Sequence, residues 1–181
     1  MSLQAQARSA GINESILRDV VPSLQQQERV ISLDRKQPEF LQTFFEYLDL
    51  RVTPERVERG RALLEQHRPF LLDLQEQYGV PPQYLVSFWG LETNYGSYLG
   101  RMPTLDSLAT LACDQRRSDF FSGEFIAALQ LMQRESLEPA DMQGSWAGAV
   151  GHTQFMPSSY SHYAVDGDGD GQIDLWRSEH D

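Results

Sequence analysis

The segment from Gln83 to Thr93 constrains the fold more than any other part of this 181-residue chain. As a helix, this segment carries apolar side chains on every side, and a helix of this kind is usually buried. Its burial needs other elements around it, so we expect a core built from several helices. The apolar residues are Tyr84, Leu85, Val86, Phe88, Trp89 and Leu91.

Helical spacing recurs along the rest of the chain, whereas strand-like alternation is nearly absent. Ile12, Ile16 and Val20 repeat every four residues, and a second apolar face comprises Phe40, Phe44, Tyr47 and Leu48. Proline, glycine and threonine give start and stop signals. The fold class is therefore mainly α. Predicted starts and breaks fall at Pro22, Thr53, Pro69, Gly79 and Thr104.

Composition excludes several classes of protein. The net charge of −11 argues against a nucleic-acid partner, because phosphate binding depends on clustered Lys and Arg. No apolar run reaches the roughly 20 residues of a transmembrane helix. The N-terminus lacks the pattern of a secretory signal, so the protein is either cytosolic or has lost its signal. The single cysteine, Cys113, cannot form an internal disulfide, and we expect it to be a small core residue.

Glu92 is the most informative residue in the chain. It follows Leu85 by seven positions and Trp89 by four, so the three side chains share one stripe of the predicted helix. Asn94 and Gly96 predict that this helix ends just after Glu92. Desolvation and the negative end of the helix dipole both favour a protonated carboxyl that can donate a proton. Alternatively, Glu92 turns outward or pairs with an arginine.

The residues around Glu92, from Phe88 to Gly96, resemble the catalytic signature of the lysozyme-like lytic transglycosylases. In that group Glu-Thr-x-x-Gly ends the catalytic helix. Three later segments resemble the membrane-bound lytic transglycosylase B family, in the same order: 116–121, 144–151 and 154–160. The resemblance covers residues 37–181 and implies a lysozyme-like catalytic domain there. Residues 1–36 are then a helical N-terminal extension.

The resemblance implies an enzyme of the periplasm or cell envelope that cleaves the β-1,4 bond between N-acetylmuramic acid and N-acetylglucosamine. Glu92 would act as acid and then as base, giving a 1,6-anhydromuramoyl product without a catalytic cofactor. Ordinary glycosidases use two carboxylates, and the sequence shows no second one in a comparable apolar setting. The alternatives are a hydrolytic goose-type lysozyme, a silent peptidoglycan-binding module and a calcium-dependent structural protein.

The same resemblance assigns substrate contacts. Ser145 and Gln154 would line the groove beside the scissile bond, and Met156 and Tyr160 would offer apolar and stacking surface. Two further residues, Arg116 and Arg117, are placed to pair with stem-peptide carboxylates; alternatively, they are solvated charges ahead of a helix. The expected partner is therefore the peptidoglycan glycan strand.

Residues 166–174 match the first nine positions of an EF-hand loop, with glycine at position 6. Position 12 is Arg177 where a bidentate glutamate is usual, and the resemblance implies a later carboxylate: Asp181, or alternatively Glu179. This pattern predicts a structural calcium ion; the alternative is an acidic turn without metal. The candidate ligands are Asp166, Asp168, Asp170, Gln172, Asp174 and Asp181.

The resembled domain continues past the calcium loop into further helices. We therefore expect the groove of this chain to be open on one side, with Glu92 solvated and apolar faces exposed.

Overall fold

A computed structural model describes residues 2–36 and 42–181. Within them the chain forms ten α-helices, one 3-10 turn at Val21–Ser23 and one antiparallel pair of two-residue strands. The strands are β1 (Met102–Pro103) and β2 (Gln143–Gly144). The helices are α1 (Leu3–Ser9), α2 (Glu14–Asp19), α3 (Glu28–Lys36), α4 (Phe44–Arg51), α5 (Pro54–Gln66), α6 (Arg68–Tyr78), α7 (Pro82–Thr93), α8 (Thr104–Cys113), α9 (Ser118–Arg134) and α10 (Pro157–Tyr163).

The predicted mainly α class is confirmed, and most helix boundaries fall where the sequence places them. The Thr53 side chain accepts a hydrogen bond from the Arg56 amide at 3.3 Å and so caps α5. Gly79 ends α6 in the left-handed region, with φ of 72°. Thr104, at a predicted helix start, is the first residue of α8. Phe40 lies outside the described residues.

Contacts divide the chain into two compact units. The first unit comprises Met1–Lys36 and Leu99–Asp181, and the second comprises Gln37–Tyr98. In this grouping the N-terminal helices belong with residues 99–181. A separate extension at 1–36 and a catalytic domain at 37–181 remain a prediction.

The core of the first unit lies where α8 and α10 pack against α9. Helices α1, α2 and α3 add buried residues to the same core. The fully buried side chains include Leu17, Val30, Leu108, Leu111, Phe121, Phe125, Leu129, Met142, Val150 and Tyr160. Cys113, by contrast, is exposed at the end of α8, so the prediction of a core cysteine is wrong. The positions before it already supply the inward face of that helix.

The second unit has a small core, in which Leu71, Val86 and Tyr95 are buried between α5, α6 and α7. Large apolar side chains remain outside it: Phe44 is 70 % exposed and Phe88 is 63 % exposed. The exposed apolar faces expected from the sequence are therefore present in this unit.

Candidate active site

Glu92 lies in the last turn of α7, where local sequence signals end the helix. Asn94 adopts a left-handed conformation with φ of 50°, and Tyr95 and Gly96 follow with φ of 58° and 72°. Asparagine and glycine tolerate this region better than other residues do. The predicted end of this helix is confirmed.

The prediction that α7 is buried on all sides is wrong. Val86, Gly90 and Thr93 form its buried face, because they are the residues that face α5 and α6. Glu92 and Leu91 are exposed on another face. Glu92 is therefore solvated, which contradicts the desolvated carboxyl and matches the expectation of a Glu92 open to solvent. The apolar composition of α7 did not reveal which faces its neighbours cover.

The threonine and glycine of the Glu-Thr-x-x-Gly signature have a structural role beside Glu92. Thr93 is buried, and its hydroxyl donates to the Trp89 carbonyl oxygen at 3.3 Å. The same hydroxyl accepts a hydrogen bond from the Gly96 amide at 3.0 Å. The Tyr98 amide donates to the Thr93 carbonyl oxygen at 3.0 Å. These bonds hold the backbone that immediately follows Glu92.

Tyr95 is a site residue that the sequence analysis overlooked. Its hydroxyl donates to the Arg56 carbonyl oxygen at 2.8 Å, and burial raises the pKa of the phenol. The ring needs the space left by two glycines: a Cβ on Gly60 would overlap the hydroxyl, and one on Gly90 would lie 2.7 Å from the ring. The signal was available, because helix-interior glycines often mark a close approach.

In the first unit, Ser145 belongs to a tight turn after β2. Its Oγ accepts a hydrogen bond from the Ala149 amide at 3.0 Å, and its own amide donates to the Ala149 carbonyl oxygen at 2.8 Å. Gly144 leaves no room for a side chain, since a Cβ there would collide with the same carbonyl oxygen. Ser145 is thus half-buried and held by its own loop.

Gln154 is held by its side chain and by an unusual backbone. Its φ is 50°, and its Nε2 donates to the carbonyl oxygens of Gly151 at 3.0 Å and Leu99 at 3.2 Å. The side chain is half-buried, with its amide nitrogen already engaged. The amide oxygen is left as the acceptor for another group.

Tyr160 cannot supply a stacking surface, so that prediction is wrong. The side chain is fully buried, and its hydroxyl donates to the Ile173 carbonyl oxygen at 2.5 Å. Its ring packs against Trp176 with centroids 5.6 Å apart. Burial raises the pKa of this phenol to about 12. Met156, just before α10, is half-buried against the core.

Arg116 and Arg117 both pair with Asp34, which is buried in α3. Nη1 of Arg116 donates to the Asp34 carboxylate at 3.1 Å and to its carbonyl oxygen at 2.6 Å. Nη2 of Arg117 donates to the other carboxylate oxygen, and its guanidinium lies over the Phe121 ring. The two arginines therefore hold α3 against the start of α9. This structural role differs from both roles that the sequence analysis considered, which were contact with peptide carboxylates and solvated charge. Contact of these arginines with stem-peptide carboxylates stays a prediction.

Glu124 is a second carboxylate in an apolar helix, and the sequence analysis missed it. It is buried in α9 and accepts hydrogen bonds from the amide of Ser158 at 3.0 Å and its hydroxyl at 2.6 Å. The first of these bonds gives a partner to a backbone amide in the first turn of α10, which follows the loop that carries Gln154. Glu124 is thus a structural carboxylate, because each of its oxygens accepts a hydrogen bond from Ser158.

The loop at 166–181 brings together three of the predicted metal ligands. Carboxylate oxygens of Asp166, Asp168 and Asp181 lie within 4.8 Å of one another. Asp181 also accepts hydrogen bonds from the amides of Gly167 at 3.0 Å and Asp174 at 2.7 Å, and so closes the loop. Of the two later carboxylates considered, Asp181 is the one in this cluster.

The remaining predicted ligands have other partners. Oδ1 of Asp170 accepts the Gln172 amide at 2.8 Å. Asp174 accepts the Trp176 amide at 3.0 Å and pairs with Arg177 at 3.4 Å. Gln172 itself is exposed. These residues lie outside the three-carboxylate cluster.

Comparison with known proteins agrees with these features. The family described as "Transglycosylase SLT domain" matches residues 1–181. The chain belongs to this family. The membrane-bound lytic murein transglycosylase B of Escherichia coli K12 is 44 % identical over 126 residues, which are 69 % of this chain and 35 % of that protein.

Solved transglycosylase structures share the fold. SltB3 of Pseudomonas aeruginosa, in complex with NAG-NAM-pentapeptide, is 40 % identical, with a TM-score of 0.89 over 97 % of this chain and 47 % of that one. Escherichia coli Slt35, in complex with calcium, is 35 % identical, with a TM-score of 0.84 over 97 % of this chain and 56 % of that one. The lysozyme-like fold is thereby confirmed.

The chain spans about a third to a little over half of the length of these relatives. Among the described helices of this transglycosylase domain, none combines the length and apolar character needed to cross a bilayer.

Proposed function

We propose that this transglycosylase domain cleaves the β-1,4 bond between N-acetylmuramic acid and N-acetylglucosamine in peptidoglycan, with formation of a 1,6-anhydromuramoyl product. The proposal rests on the position of Glu92, a solvent-exposed carboxylate in the last turn of α7. Hydrogen bonds of Thr93 and Tyr95 hold the end of this helix. The relative SltB3 forms complexes with NAG-NAM-pentapeptide and with NAG-anhNAM-pentapeptide. The second ligand carries the anhydro sugar that such a reaction forms.

Glu92 alone supplies the proton transfers in this reaction. Its carboxyl protonates the leaving glycosidic oxygen, and the 2-acetamido group of the muramoyl residue stabilises the cationic centre. The resulting carboxylate then takes the proton of the 6-hydroxyl, whose oxygen attacks the anomeric carbon. The proton returns to Glu92, so that no water is consumed. A single acid/base suffices because the nucleophile belongs to the substrate.

The groove loops of the first unit supply polar contacts to the glycan. Ser145 and Gln154 are half-buried and are fixed by hydrogen bonds of their own loops. The Gln154 amide oxygen and the Ser145 hydroxyl can each still bond a sugar. Met156 adds apolar surface, whereas Tyr160 supports the loop from inside. Because this substrate belongs to the cell wall, the proposal includes a location in the periplasm or cell envelope.

A calcium ion fits the loop at 166–181. Hard divalent cations prefer several carboxylate oxygens, and Asp166, Asp168 and Asp181 offer three of them close together. Bound calcium would offset the mutual repulsion of these carboxylates and tie the end of the loop to its beginning. The role is structural, and the expected affinity is that of extracellular modules, roughly 10⁻⁴ to 10⁻³ M.

Digestion of purified peptidoglycan, analysed by mass spectrometry, tests the reaction. We expect products whose mass equals that of the substrate fragment without added water. Glu92→Gln should lower the rate by roughly 10²- to 10⁴-fold, because the amide cannot transfer the proton. Glu76→Gln, at an exposed position of α6, is the matched control and should retain the parent rate.

Other products would identify the alternatives. A product heavier by one water would indicate a hydrolytic lysozyme and overturn the transglycosylase mechanism. Binding of glycan strands without turnover would indicate a silent binding module. A Glu92→Gln protein with a third of the parent activity would overturn the role of Glu92.

A further inference from the structure

Two consecutive turns of the first unit carry the polar residues of the proposed groove. The first turn runs from Ser145 to Ala149 and is closed by the hydrogen bonds between these two residues. The second turn follows directly and contains Gln154. It is closed by the amides of Val150 and Phe155, which donate to each other's carbonyl oxygens at 2.8 and 3.0 Å. Each turn therefore has a shape of its own, whereas its orientation depends on contacts with other segments.

Residues 173–176 make hydrogen bonds beside both turns. Nε1 of Trp176 donates to the carbonyl oxygen of Gln143, just before the first turn begins, at 2.8 Å. The amide of His152, in the second turn, donates to the carbonyl oxygen of Leu175 at 2.8 Å. Two neighbouring residues of one short segment thus hold both turns.

The contact with the second turn depends on a glycine. Gly151 has a φ of 73°, and a Cβ there would lie 2.5 Å from the Leu175 carbonyl oxygen. Glycine at this position therefore lets that carbonyl group reach the amide of His152. The segment itself is fixed from inside the core, because Leu175 is buried and the Tyr160 hydroxyl donates to the Ile173 carbonyl oxygen.

The contact with the first turn uses the polar end of a tryptophan. Trp176 is half-buried, and its ring packs against Tyr160 and the core of the unit. This packing needs an apolar ring, which phenylalanine would also provide. The indole N–H has a separate partner, the backbone of the exposed residue Gln143 in β2. The indole nitrogen therefore connects the core to the start of the first groove turn.

We propose that residues 173–176 position both groove turns for substrate. Trp176 acts through the turn of Ser145. The Leu175 carbonyl group acts through the turn of Gln154. The inference rests on the proposed function and concerns residues that act through others rather than on the sugar. Loss of one contact would leave its turn closed but free to tilt, so a smaller fraction of the protein would present the polar group in the binding orientation. The apparent affinity for glycan falls by that fraction.

Binding of a peptide-free NAG-NAM tetrasaccharide tests the inference without turnover, with Glu92→Gln as the background of every variant. Trp176→Phe keeps the aromatic ring and removes the bond to Gln143. We expect it to weaken binding roughly threefold or more, within the range that one hydrogen bond permits. In a Ser145→Ala background the same change should weaken binding less than about 1.5-fold, because the positioned hydroxyl is absent. Tyr163→Phe, at an exposed aromatic of the same unit, is the matched control and should leave the affinity unchanged.

The second contact has a test of its own. Gly151→Ala would bring a Cβ to 2.5 Å from the Leu175 carbonyl oxygen. We expect it to weaken tetrasaccharide binding roughly threefold or more, and less than about 1.5-fold in a Gln154→Ala background. Gly11→Ala is the matched control, because Gly11 also has a left-handed backbone, with φ of 82°, but a Cβ there meets nothing within 4 Å. This control should bind the tetrasaccharide like the parent.

A purely structural role predicts a different result, since it lowers the free energy of unfolding but leaves the affinity of folded protein unchanged. Binding is therefore measured where urea unfolding shows every variant to be folded, in the same millimolar calcium. The inference would be overturned by absence of saturable binding, by no weakening in Trp176→Phe, or by equal weakening with and without Ser145. Gly151→Ala with equal effects in the presence and absence of Gln154 would also overturn it. A peptidoglycan digest without anhydro product would instead overturn the proposed reaction.

Discussion

The Tyr95 hydroxyl donates to the Arg56 carbonyl oxygen at 2.8 Å, so a residue beyond the end of α7 is fastened to the first turn of α5. Tyr95→Phe should therefore lower the free energy of unfolding by about 0.5–1.5 kcal/mol, the usual contribution of one hydrogen bond. Denaturant unfolding measures the loss. Tyr98→Phe, at an exposed position, should change stability by less than about 0.5 kcal/mol. Equal effects of the two variants would contradict this account.

The glycines under the Tyr95 ring give a second prediction. Gly90→Ala should destabilise the protein by about 1–3 kcal/mol, because the new methyl group meets the ring at 2.7 Å. Gly123→Ala is a matched control, since it is also helical and its Cβ would meet nothing within 4 Å. That control should stabilise the protein by about 0.5–1 kcal/mol through helix propensity. Thermal unfolding of both variants distinguishes them, and a stabilising Gly90→Ala would show that the ring has room to move.

The pairing of Asp34 with two arginines gives a third prediction. Asp34→Asn keeps the shape and removes the charge, leaving Arg116 and Arg117 facing a neutral amide. We expect a loss of about 1–3 kcal/mol, less than for a fully buried pair because both arginines are partly exposed. Asp49→Asn on exposed α4 is the control. The measurement is urea unfolding, and an Asp34→Asn protein as stable as the control would remove the structural role.

Calcium gives a fourth prediction. Millimolar calcium should raise the melting temperature, because it binds the folded loop and not the unfolded chain. At about one to ten times the expected dissociation constant the gain is about 0.4–1.4 kcal/mol. Asp166→Ala or Asp181→Ala should abolish the rise, whereas Asp119→Ala, outside the loop, should keep it. Magnesium should do less, since it prefers tight octahedral sites. Identical melting in calcium and in chelator would contradict the site.

Alkaline pH gives the last prediction. The pKa of Tyr160 is raised from 10.0 to about 12 by burial, so the folded state disfavours the phenolate. This contribution to stability is complete below about pH 10 and is lost as pH rises toward about 12. Tyr160→Phe should show a shallower fall of unfolding free energy over that interval than Tyr98→Phe. Equal slopes would mean that Tyr160 titrates in the folded state as an exposed phenol does.

The sequence predicted the parts of this molecule that are determined by near neighbours. Thr53, Gly79 and Asn94 act through backbone geometry within a few residues, so the starts and ends of helices could be placed. The EF-hand spacing likewise predicted that Asp166 and Asp168 lie close together in one loop.

Contacts between distant residues could not be predicted in this way. Asp34 meets Arg116 across about eighty residues, and Glu124 meets Ser158 across more than thirty. Tyr160 was expected to face the groove because the family resemblance assigned it there, and a short helix gives no periodicity to tell its inner face from its outer one. The helix that carries Glu92 was predicted correctly. The exposure of Glu92 could not be predicted, because it depends on which faces of that helix other helices cover.

The hydrogen bond from Tyr95 to α5 bears on attempts to transplant the segment around Glu92. Residues 88–96 alone carry Glu92 and its signature, yet their backbone depends on Gly60 and on a carbonyl group more than thirty residues upstream. A graft of the short segment onto another scaffold would therefore lose the orientation of Glu92. The smallest portable unit is the pair of helices α5 and α7 with the three left-handed residues that follow.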